Sequence, residues 1–157
     1  MIFEKVYLQT GSNVGDREKY LNAALRALLE REEIKNLRAS SIIETEPWGN
    51  PNQGHFLNQV LEFDYSGSPQ ELLLLIRKIE SENDRRRDGQ RNMPRTLDLD
   101  ILFFGRQIIQ TNDLEIPHPR LHLRRFVLEP LSELAPEWKH PVTNMSVTEM
   151  LQQLSTT

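Results

Sequence analysis

Asp98 and Asp100 stand one residue apart in a run where Leu97, Leu99, Ile101 and Phe103 are all apolar. That period of two predicts a strand over the run 95–104, with those four residues on one face. Strand geometry then sends both carboxylates to the other face, roughly 6–7 Å apart along the chain. Two carboxylates held side by side repel and are costly to desolvate. One divalent cation, or a pair of them, removes that cost. A solvated strand face would show the same alternation. Upstream lie Arg85, Arg86, Arg87, Arg91 and Arg95. Five guanidinium groups so close together repel one another unless they share an anion. Each offers a planar fork matched to phosphate oxygens. An acid pair beside an arginine cluster suits a metal-bound polyphosphate.

The donor set narrows the metal. Oxygen ligands suit Mg²⁺, which keeps water and phosphate in its shell. The chain has no cysteine, and His55, His118, His122 and His140 show no tight ligand spacing, so zinc is disfavoured. The usual phosphate cradles, a P-loop or a G-x-G-x-x-G turn after a strand, are absent. His118, in the stiff turn Ile116-Pro117-His118-Pro119-Arg120, could reach a phosphate oxygen, as could Arg124 and Arg125. Phe56 and Asn58, two apart on one strand, could stack on and read a flat heterocycle. Core packing is the plainer role for Phe56.

Charge and composition exclude other classes. The chain has 157 residues and a net charge of −4, yet residues 85–95 carry +4, leaving −8 elsewhere. One basic loop on an acidic protein captures a compact anion rather than coating nucleic acid. No apolar run approaches the roughly 20 residues needed to span a bilayer. The start lacks the layout of a signal peptide. The expectation is one cytoplasmic domain over residues 1–157 that acts as a monomer on small molecules, without a nucleic-acid or membrane partner.

The elements that must position these groups follow from pattern. Residues 3–10 read as a first strand, ending in the turn-rich Gly11-Ser12-Asn13-Val14-Gly15-Asp16. Asp16 caps a helix that buries Leu21, Ala24, Leu25, Leu28 and Leu29. Strands are expected at 37–45 and 55–64, with a Pro- and Gly-rich loop over 46–54 between them. Ser68-Pro69-Gln70-Glu71 is a capping box. It opens a helix that buries Leu72, Leu75, Ile76 and Ile79 and ends near Asn83. The arginine loop and the acidic strand come next, then a short hairpin or arm over 106–117. Ser146 and Glu149 cap a last helix. This order predicts an α+β fold: a ferredoxin-like split βαβ sandwich, with helices over one face of an antiparallel sheet and a C-terminal extension. Fold alone does not name the chemistry. A non-catalytic nucleotide-sensing module shares it. So does an RNA-binding module, although that class needs a basic, aromatic sheet face.

The residues around the acid pair, Pro94-Arg95-Thr96-Leu97-Asp98-Leu99-Asp100-Ile101-Leu102, resemble the signature of the 6-hydroxymethyl-7,8-dihydropterin pyrophosphokinase family. Gly11-Ser12-Asn13, Thr45-Glu46-Pro47-Trp48-Gly49, Phe56-Leu57-Asn58-Gln59, Pro117-His118-Pro119-Arg120 and Arg125-Phe126-Val127-Leu128 fall in the family's order, over roughly residues 6–136. The resemblance implies transfer of pyrophosphate from ATP to the hydroxymethyl group of a reduced pterin, releasing AMP, in folate biosynthesis. By position, Asp98 and Asp100 would hold two Mg²⁺ ions. Arg85 and Arg95 match the catalytic loop arginines. Arg87, His118 and Arg124 match ATP-phosphate contacts, and Glu80 and Ile101 line the nucleotide site. Phe56 and Phe126 match the pair that sandwiches the pterin, Asn58 its amide reader, and Thr45 and Trp48 the backbone contacts at its edge. Asn92 and Met93 stand where many members carry an aromatic and a small residue. Pro119 stands where one branch has a tyrosine.

Overall fold

Alternation along the first strand decides the layering. In the computed structural model, which describes residues 2–46, 54–83 and 96–155, Val6 and Leu8 of β1 (Glu4–Ser12) enter one core and Tyr7 enters another. The first core lies under α1 (Arg17–Leu29) and α2 (Pro69–Glu82), and joins Leu21, Leu28, Leu72 and Ile76 to Leu61, Leu97 and Leu99. Both helices start where the sequence predicts. Asp16 accepts from the Lys19 N–H, and Ser68 and Glu71 cap each other's backbone. Leu29, expected in the buried face, is 58% exposed, because it falls at the last turn, beyond the sheet-facing stripe of Leu21, Ala24 and Leu28.

The sheet is antiparallel throughout, in the order β2-β4-β1-β5, with β3 also pairing β4. The single strand expected at 37–45 is two: β2 (Ile34–Ala39) and β3 (Ile43–Thr45). The strand starts earlier because Asn36, at φ +56°, makes a bulge that asparagine tolerates. It breaks at Ser40, whose hydroxyl accepts from the Val60 N–H and so replaces the ladder. β4 (Phe56–Tyr65) matches its predicted position closely, and β5 (Asp98–Phe104) ends where predicted but starts at Asp98, inside the predicted run.

Two findings correct the sequence reading. A bulge opposite Tyr7 and Leu8 leaves Leu102 without a partner, so Phe103 crosses to the second core while Phe104 joins the first. The helices also cover both faces, not one. The C-terminal segment forms α3 (Arg125–Leu134) and α4 (Val147–Ser155), which pack Val127, Leu128, Leu131, Val147 and Met150 on Tyr7, Val60, Leu102 and Phe103. The sequence hid α3 because two arginines precede its apolar face, no side chain caps it and it contains Pro130. Its C-terminal end is tied to the β2–β3 break: Glu133 accepts from the Ser41 N–H and hydroxyl, and Arg38 donates to the Leu134 carbonyl. The arm over 106–117 is a hairpin of β6 (Ile109–Gln110) and β7 (Glu115–Ile116). Among the described residues, no helix is long and apolar enough to cross a membrane.

Candidate active site

Register brings the predicted groups to one end of one sheet face. Gly11 of β1 lies opposite Asp98 on β5 and Asn58 on β4, and Asn58 lies opposite Ile43 on β3. One step along, Gln9 pairs with Asp100 on one side and Val60 on the other. A step the other way, Thr45 pairs with Phe56. Residues directly opposite in an antiparallel ladder share a face. The acid pair and the Thr45–Phe56–Asn58 group are therefore the two flanks of one platform. Its floor is Gly11 and Gln9. A Cβ at Gly11 would meet the Asn58 side-chain oxygen at 3.4 Å and the Phe56 ring at 4.0 Å, so a methyl there would lie in van der Waals contact with the Asn58 flank.

Asp98 and Asp100 are half-buried. Between them, the Leu99 N–H donates to Glu80 Oε2 at 2.8 Å. β5 is an edge of the sheet, and this carboxylate, 1% exposed on α2, holds its outer side. Glu80 thus fixes the stretch of backbone that carries both aspartates. Among the described residues, no three His, Cys, Asp or Glu side chains converge on a metal site. Two carboxylates alone fit a hard cation that takes its other ligands from water and phosphate, as Mg²⁺ does.

Beside Asp100 is a hollow of about 260 Å³. Leu73, Ile76, Ile101 and Leu114 form its apolar walls, and Arg77, Asp100, Asp113, Glu115 and His118 its polar rim. An apolar slot with a few polar groups and a flanking acid pair has the make-up of a nucleoside site. Glu80 is not among the residues lining it.

His118 follows a cis Ile116–Pro117 bond. Its Nδ1 accepts from the Arg120 N–H at 3.1 Å, so in the neutral ring Nε2 carries the proton. Burial, with the charges of Arg124 and Arg120, pushes its pKa down to about 4 against the pull of Asp98. His118 is therefore a neutral donor at physiological pH. A depressed folded pKa gives stability that is present above about 6.5 and lost as pH falls toward about 4. We predict that ¹⁵N NMR of the metal-free protein finds the Nε2–H tautomer of His118 unchanged from pH 8 to pH 5.5. A midpoint near 6.5 would contradict this.

Arg124 immediately precedes α3, and its guanidinium lies 5.6 Å from the centre of the Phe126 ring, a cation–π contact. Phe56 and Phe126 are both half-buried and make no ring contact with each other. Asn58 is 3% exposed; its Nδ2 donates to Thr45 Oγ1 at 2.9 Å, and its Oδ1 accepts from Gln9 Nε2 at 3.3 Å. Trp48, Arg85, Arg87 and Arg95 lie outside the described residues. The sequence reading missed Gln9. Period-two alternation from Tyr7 through Gln9 to Gly11 was the signal that could have found it.

The chain is similar to known proteins over nearly its whole length. A family model described as 7,8-dihydro-6-hydroxymethylpterin-pyrophosphokinase matches residues 7–136. The 2-amino-4-hydroxy-6-hydroxymethyldihydropteridine pyrophosphokinase of Bacillus subtilis is 44% identical over 138 residues, covering 88% of this chain and 82% of that protein. Its counterpart in Aquifex aeolicus is 43% identical over 144 residues, covering 92% and 88%. A folate synthesis bifunctional protein of Arabidopsis thaliana is 44% identical over 132 residues, or 84% of this chain and 27% of that one. Among solved structures, wild-type Plasmodium falciparum HPPK-DHPS with pteroate superposes at a TM-score of 0.77 and 15% identity, over 99% of this chain and 43% of that one. That chain is more than twice as long as this one, and the likeness establishes the α+β fold.

Proposed function

Because the chain belongs to the 7,8-dihydro-6-hydroxymethylpterin-pyrophosphokinase family, we propose that it moves the pyrophosphoryl group of ATP onto the hydroxymethyl group of 6-hydroxymethyl-7,8-dihydropterin. AMP and the pterin diphosphate leave, as a step of folate biosynthesis. The observation that carries this reading is the shared platform, with an acid pair on one flank and a buried amide between aromatic and hydroxyl groups on the other.

Asp98 and Asp100 would hold two Mg²⁺ ions. Bound there, magnesium would neutralise phosphate charge and acidify the attacking hydroxyl. The remaining work falls to this chain's own side chains. Phe56 and Phe126 take the pterin ring between them, and Asn58 reads its amide edge, with Thr45 and Trp48 at its rim. Ile101 and its neighbours seat the nucleoside in the hollow beside Asp100, whose backbone Glu80 anchors. His118 donates its Nε2–H to a phosphate oxygen, and Arg87 and Arg124 hold the chain of phosphates. Arg85 and Arg95 meet the charge that grows as the α–β bridge breaks, so they act mainly in the transition state. Positioning and charge stabilisation suffice for such a transfer, and no side-chain base is required. The whole of residues 1–157 acts as one domain, as a cytoplasmic monomer on small-molecule substrates.

Incubation with Mg-ATP and the hydroxymethyl pterin tests the activity: stoichiometric AMP and pterin diphosphate are expected. Nucleotide binding without AMP release would favour a nucleotide-sensing module instead. For the pterin flank, Phe126→Ala should weaken pterin binding about tenfold, the loss of one stacking face. Mg-nucleotide binding should stay within about twofold. Equal loss of both ligands in calorimetry would remove Phe126 from the pterin site.

A further inference from the structure

We propose that Gln9 is a positioning residue for the pterin, acting through Asn58. This rests on the reading of Asn58 as the group that meets the ring. Gln9 is 6% exposed in the middle of β1, on the platform face, with Asp100 opposite on one side and Val60 on the other. A buried primary amide is costly unless its groups are bonded. The bond it makes is the one from Nε2 to Asn58 Oδ1. Asn58 then has one oxygen lone pair taken by Gln9 and one N–H given to Thr45. One acceptor and one donor remain on the same amide. That pair complements a cyclic amide or aminopyrimidine edge, which offers one donor beside one acceptor. With Thr45 alone the Asn58 amide is held at its nitrogen end; the Gln9 contact holds its oxygen end as well. Anchored at both ends, the amide is ordered before the ring arrives, and little freedom is lost on binding.

A double-mutant cycle tests this. Gln9→Met keeps the length and apolar packing of the side chain and deletes the amide; Gln9→Ala is the second variant should the first disturb folding, with thermal unfolding as the control. Titration with 6-hydroxymethyl-7,8-dihydropterin should show Kd raised about three- to tenfold in Gln9→Met, the worth of one neutral hydrogen bond. Binding of a magnesium complex of a non-hydrolysable ATP analogue should change by less than about twofold. In an Asn58→Ala background, Gln9→Met should add nothing further. An unchanged pterin Kd overturns the proposal. So does an undiminished effect in the Asn58→Ala background, or an equal loss of nucleotide affinity, which would route Gln9 through the Asp100 strand. If Asn58→Ala itself leaves pterin affinity unaltered, the assignment of Asn58 falls, whatever Gln9 does.

Discussion

Asp100→Ala should lose turnover on the order of 100- to 1,000-fold, because the several kcal/mol that a bound cation gives to phosphoryl-type transfer disappear with its anchor. Asp98→Ala should follow it closely. The two carboxylates sit on one face of one strand, and Leu99 between them is fixed through Glu80. Neither can swing across to replace the other. The loss should appear in kcat at saturating ATP as well as in nucleotide affinity. It should not come from unfolding: both side chains are half-buried on the platform, outside the two cores. Turnover within a fewfold of the parent in either variant would contradict the metal assignment.

The second large effect is on stability. Phe103→Ala should cost about 3–5 kcal/mol, the usual range for deleting a buried phenylalanine. Its ring is fully buried, with centroids 6.3 Å from Tyr7, 6.2 Å from Trp138 and 5.7 Å from His140. With Leu102, it is where β5 meets the layer of α3 and α4. Against a typical total of about 5–15 kcal/mol, such a loss brings the protein close to unfolding. Because Phe126 lies in the first turn of α3, directly after Arg124 and Arg125, loosening this layer should also weaken pterin binding. Urea denaturation gives the magnitude. A change below about 1 kcal/mol would mean the second core adds little.

The same residue marks where sequence reading reached its limit. Alternation placed Asp98 and Asp100 correctly on one face, since both lie ahead of the bulge. Past the bulge the period slips by one, and Phe103 changes sides; one added residue reverses every later assignment. The capping boxes at Ser68 and Ser146 were legible because their spacing is their mechanism. Helix α3 was not, because its evidence lies in tertiary contacts: Glu133 to Ser41, Arg38 to Leu134 and Val127 on Tyr7's side of the sheet. The chemistry of single groups could be read from residue type, as for the acid pair. Relations between strands could not. Gly11 and Gln9 acquire their place on the platform floor only through the pairing of β1 with β4 and β5. The lowered pKa of His118 likewise needs a partly desolvated ring with Arg124 and Arg120 beside it. The motif residues carried the family identity, which the match over residues 7–136 establishes.

The most direct test is a crystal structure with a non-hydrolysable ATP analogue, 6-hydroxymethyl-7,8-dihydropterin and manganese in place of magnesium, located by anomalous scattering. We expect manganese coordinated by Asp98 and Asp100 and bridged to phosphate oxygens. We expect the pterin between Phe56 and Phe126 with its amide edge on Asn58. Manganese and triphosphate bound away from both aspartates would contradict the account.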